Sequence, residues 1–143
     1  MKKSLLALSL GLGLLAGTVH ADEKATQNVS IVISSASTMS QGMAMTLANQ
    51  MQEQGAQVDI LLCDAAGDLA LKDAGGEALK PMGATPAKML DAALAKGATA
   101  SVCGLYLPNS GHSADDLRTG ITAAKPADMA ARMLEPGRKV IGF

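Results

Sequence analysis

The sequence predicts an α/β domain, and three observations carry that prediction. Short, unbroken β-branched runs such as Val29 to Ile33 alternate with segments whose apolar residues repeat at helical spacing. Gly or Pro punctuates each junction. The chain holds one Tyr, one Phe and no Trp, so Ala, Leu, Val, Ile and Met must fill the core. Small side chains of that kind suit close helix–sheet packing better than a β-sandwich.

The elements follow in order. Val29 to Ile33 reads as a strand buried on both faces, and Ser34 to Thr38 as a small-residue turn. Met39, Met43, Leu47 and Met51 mark a helix to Gln54, with Gly55 at its C-cap; the same spacing makes Met39, Met43 and Met51 core residues. Gln57 to Cys63 is a second strand, entering Asp64-Ala65-Ala66-Gly67, and Asp68 to Leu71 suits a helical turn. After a Gly-rich stretch to Gly83, Thr85 is an N-cap with Pro86 at the first helical position. That helix turns Met89, Leu90, Ala93 and Leu94 inward and stops at Gly97. Thr99 to Leu107 contains a third strand ending near Cys103, and Pro108 to His112 reads as a loop. Ser113 caps a short helix, and Gly120 to Thr122 is a short fourth strand. Lys125-Pro126 opens a helix with Met129, Ala130 and Met133 inward, and Arg138 to Phe143 is a fifth strand. The β-α alternation demands right-handed crossovers. The expected architecture is therefore a flavodoxin-like, doubly wound, mostly parallel five-stranded sheet with helices on both faces.

Ahead of this domain stands an export signal. Lys2 and Lys3 form a positive n-region, Ser4 to Gly17 an uncharged Leu-rich core, and Val19-His20-Ala21 a cleavage site. The apolar run is shorter than the ~20 residues that a membrane span takes, so residues 1–21 read as a cleaved signal peptide and 22–143 as the mature domain. Thr18 stands where a lipoprotein needs cysteine. The expected location is the periplasm. Loss of Lys2 and Lys3 from twelve basic residues leaves ten against thirteen acidic ones, a mature net charge of −3. With no basic run interleaved with aromatics, nucleic acid is a poor partner, and after cleavage no membrane partner is expected.

In a doubly wound sheet, chemistry gathers at the carboxyl ends of the strands beside the topological switch point. Cys63 and Cys103, the chain's two cysteines, both arrive at that edge. Four readings stand side by side. Each thiol is a small buried hydrophobe; or the two form a disulfide, as an oxidising compartment favours; or Cys103 is a reactive thiolate; or Cys63, Cys103 and His112 hold a soft metal such as copper(I). A strand order of 2-1-3 would set the two α-carbons near 10 Å apart, beyond the ~7 Å reach of a disulfide. His112, in the loop after Cys103, is placed to lower the thiol's pKa or take its proton if that loop folds back. No residue pattern implies an organic cofactor.

The mature segment resembles the DsrE/DsrF-like family, small α/β proteins that include sulfur-relay subunits. The resemblance runs from Val29 to Phe143. It rests on IVISSASTMSQGMAMTLANQ, VDILLCDAAGDLAL, LKPMGATPAKMLDAALAKGATASVCGLYL and GITAAKPADMAARMLEPGRKVIGF. It implies a persulfide-bearing cysteine at Cys103 (in Ser101-Val102-Cys103-Gly104), a sulfur donor or acceptor protein as partner, and a homo-oligomer, trimer or hexamer. Cys63 has no counterpart role in the family and is assigned here as a resolving thiol. The alternative is a non-catalytic oligomeric binding protein with a small ligand or metal at the strand edge.

Overall fold

The computed structural model describes residues 26–143; the predicted export segment, residues 1–21, lies outside the described residues. Five strands form one sheet: β1 (Asn28–Ile33), β2 (Gln57–Leu62), β3 (Thr99–Cys103), β4 (Ile121–Ala124) and β5 (Lys139–Gly142). Every neighbouring pair is parallel, in the order β4-β3-β2-β1-β5. Four α-helices connect them: α1 (Thr38–Glu53), α2 (Pro86–Ala95), α3 (Tyr106–Ser110) and α4 (Pro126–Met133). Two 3₁₀ turns, Asp64–Ala70 and Ala114–Asp116, complete the connections.

The order follows from handedness. Steps from β1 to β2, β3 and β4 all move one way, so right-handed crossovers keep α1 and α2 on one face. There they pack on each other, and Asn49 Nδ2 and Gln52 Nε2 of α1 donate to the Met89 and Ala93 carbonyls of α2. The step from β4 to β5 returns across the whole sheet and carries α4 over the opposite face. The switch point therefore lies between β1 and β5, and β2 and β3 are neighbours, in contrast to a 2-1-3 order.

The stop and start signals act as the sequence predicts. Thr85 accepts from the Lys88 amide at the start of α2; Ser37, read from the sequence only as part of a turn, does the same for the Ser40 amide at the start of α1. Gly55 and Gly97 take positive φ just past their ends. Packing corrects two assignments. In α1 the buried stripe is Gln41, Ala44, Met45 and Ala48, while Met39 and Met43 are 72% and 53% exposed. In α4 only Met129 is buried, and Ala130 faces out. The segment read as a loop after Leu107 belongs largely to α3, with Pro108 inside the short helix.

Candidate functional site

Cys63 and Cys103 leave the sheet side by side. Leu62 of β2 pairs with Val102 of β3, so the next residue of each strand is a cysteine. Cys63 keeps extended backbone geometry, and pleat alternation places it in file with Asp59 and Leu61, as Cys103 follows Thr99 and Ser101. Neighbouring strands lie ~4.8 Å apart, which replaces the 10 Å separation expected for a 2-1-3 order. Both cysteines are free thiols and half-buried, and they stand beside each other across the β2–β3 pair.

Burial, first, pushes the Cys63 thiol up to about 12; the adjacent Cys103 and its charge, then the charge of Asp64, act in the same direction. Cys63 therefore stays protonated at neutral pH. Asp64 follows at φ 48, the only non-glycine residue at positive φ among the described residues, a conformation that Asp tolerates better than most side chains.

A cavity of about 500 Å³ opens above the pair, lined by Cys63, Asp64, Asp68, Cys103, Leu105 and Tyr106 among others. Its far wall is the Tyr106 ring, 7% exposed, whose hydroxyl donates to Asp68 Oδ1 at 2.6 Å. Burial, and then the Asp68 hydrogen bond and charge, raise that phenol to about 12. Two glycines permit this wall. A Cβ on Gly67 would lie 2.2 Å from the Tyr106 ring, and one on Gly104 would lie 2.7 Å from the Ala124 carbonyl oxygen. Gly104 thus lets the chain leave Cys103 pressed against β4.

His112 does not line the cavity. Its ring stacks on Tyr106 at 6.2 Å between centroids, and its Nδ1 lies 3.9 Å from Asp116 Oδ2. Among the described residues no three His, Cys, Asp or Glu side chains are grouped to hold a metal ion, so Cys63, Cys103 and His112 are not assembled as the copper reading requires. Tyr106 and Asp68 are cavity residues that sequence reasoning missed. The one available signal was that the chain's single tyrosine stands three residues after Cys103.

No family model matches the chain, and no curated protein matches it. Solved structures do. The YchN protein of E. coli superposes with a TM-score of 0.68 at 20% identity, over 82% of this chain and 99% of that one. This chain shares that fold. Protein MTH1491 of Methanobacterium thermoautotrophicum, of unknown function, gives 0.67 at 12% identity, over 82% and 99% of the two chains. The conserved protein BT1422 of Bacteroides thetaiotaomicron, also of unknown function, gives 0.63 at 18%, over 82% and 95%. At these identities the likeness extends to the fold alone. The cavity and its thiols are described from this chain's own residues.

Proposed function

We propose that the mature domain is a periplasmic sulfane-sulfur carrier of the DsrE/DsrF-like kind, with Cys103 as the accepting thiol. The observation that carries this reading is the pairing of two free thiols in the wall of one open cavity at the carboxyl edge of the sheet. The resemblance of SVCG and its flanking elements to the relay family, and the fold shared with YchN, support it. In the loading step the Cys103 thiolate attacks the terminal sulfur of a polysulfide or persulfide donor. The donor's S–S bond breaks, and its electron pair leaves with the shortened donor. Cys63, held protonated, is a poor nucleophile in the resting pair, since the thiolate is the attacking species.

The carrier works as a homo-oligomer in this reading. Val140 and Leu134, 49% and 82% exposed on the α4 side, supply apolar surface for a partner copy. Light scattering of the mature chain checks this, and a monomer at working concentration would remove it.

The test of loading is mass spectrometry after brief exposure to inorganic polysulfide and immediate alkylation. A gain of one sulfur, about 32 Da, on the Cys103 peptide is expected in the wild-type chain and in Cys63→Ser. Its absence from both, or an equal gain of sulfur elsewhere in Cys103→Ser, removes Cys103 from the role.

A further inference from the structure

We propose that Cys63 discharges the sulfur that Cys103 accepts, releasing it as hydrogen sulfide and leaving a Cys63–Cys103 disulfide. The inference rests on the carrier reading of Cys103 and adds a product and a second reacting residue to it. Its basis is the register of the sheet. Leu62 and Val102 are Cα partners in adjacent parallel strands, so the cysteines that follow them are lateral neighbours. The ~4.8 Å strand spacing falls within the Cα separation that disulfides span. Neither thiol has to move far to reach the other.

The step balances without any further reactant. A loaded Cys103 carries Sγ bonded to a terminal sulfur that is anionic at neutral pH. The Cys63 proton passes to that terminal sulfur, and Cys63 Sγ attacks Cys103 Sγ. The Cys63–Cys103 S–S bond forms, the bond to the terminal sulfur breaks, and its electron pair departs with HS⁻. Cys63 and Cys103 are together oxidised by two electrons, and the sulfane sulfur is reduced by two.

Loading also removes part of what keeps Cys63 inert. In the resting pair, Cys63 is held up by burial and by the adjacent Cys103 and its charge. Once Cys103 Sγ is bonded to sulfur, that charge moves one atom outward, to the atom that takes the proton. Attack is then directed at the neighbouring Sγ, with a sulfide of low pKa as leaving group, which favours fast exchange. A dithiol reductant resets the pair.

The experiment loads the full mature chain with one equivalent of polysulfide in the cold, removes excess by desalting, and warms it. Sulfide is measured with a colorimetric trap and the chain by mass spectrometry. The wild type is expected to release one sulfide per chain and to end about 2 Da below its reduced mass, with the Cys63 and Cys103 peptides cross-linked. Cys63→Ser and Cys63→Ala are expected to keep the added sulfur and release sulfide about a hundredfold more slowly, as loss of a positioned neighbour implies. Two variants guard against one that folds poorly, and circular dichroism checks both. A wild-type chain that keeps its added sulfur as long as Cys63→Ser overturns discharge and leaves the carrier reading intact. Failure of every chain to take up sulfur overturns the carrier reading, and discharge with it.

Discussion

The two faces of the sheet are built on different terms. Toward α1 and α2 it presents Val29, Ile31, Ile33, Val58, Ile60, Leu62 and Val102, all 3% exposed or less. Toward α4 the same strands present Ser30, Asp59, Thr99 and Ser101 beside Val32 and Leu61, and α4 covers that face only in part. There Asp59 Oδ1 accepts from Thr99 Oγ1 and from Arg132 of α4, while its Oδ2 is buried with no partner. The first face holds the fold by burial, at ~1.5–3 kcal/mol for each large aliphatic side chain. The second contributes much less of that term, and the files of residues on it end in Cys63 and Cys103. Stability and chemistry are separated by the pleat of two strands.

That contrast can be broken by experiment. Ile60→Ala is expected to cost about 2–5 kcal/mol in chemical denaturation. Thr99→Ala, one strand away on the other face, should cost about 1 kcal/mol for its lost hydrogen bond. Equal losses would show that the α4 face carries as much of the fold as the α1 face.

Next in size is Gly67→Ala, expected to cost about 1–3 kcal/mol because the new methyl displaces the Tyr106 ring. Tyrosine emission reports the displacement without ambiguity, since the chain has one Tyr and no Trp. An unchanged spectrum would mean that the ring is not held against that turn.

The alkaline limb comes third. Tyr106 and Cys63 both have folded pKa values raised to about 12, from ordinary values of 10.0 and 9.0. The folded state therefore holds these protons more tightly than the unfolded chain. Their contribution is complete below pH 9 and is lost as pH rises from 9 through 12. Denaturation midpoints should fall across that range, and the tyrosinate absorbance should titrate near 12. Asp68→Asn should lower the phenol's midpoint without returning it to 10.0, because burial is the largest cause. A wild-type midpoint at 10.0 would refute the buried wall.

The smallest effect is Asp64→Asn, which keeps a side chain tolerant of positive φ and removes one charge beside Cys63. Cys63 should alkylate modestly faster at pH 8, with stability changed little. No change in its rate would discount Asp64 as a cause.

Most of the fold could be read from the sequence because its signals are local. Thr85-Pro86, Gly55 and Gly97 each decide an element boundary from their own backbone requirements. Strand order is not local: it depends on how a Gly-rich connection between β2 and α2 returns the chain, and nothing in residues 72–85 encodes which edge β3 joins. Helical periodicity had a similar limit in α1. Met39, Met43, Leu47 and Met51 satisfy it, but so do Gln41, Ala44, Met45 and Ala48, and contact with the sheet selects the second set. Both cysteines were placed at the correct edge; their adjacency needed the strand order. The Tyr106–Asp68 bond joins residues 38 apart in a packing that no motif announces.

Gly104 has one more consequence. Because the chain after Cys103 is wedged against the Ala124 carbonyl, the backbone spacing of the two cysteines is set by the sheet and not by surface loops. Each thiol then meets the other at an effective molarity that solution thiols at millimolar levels do not approach. On the proposed carrier reading, strand register sets the competition for the sulfur on Cys103 before any partner protein arrives.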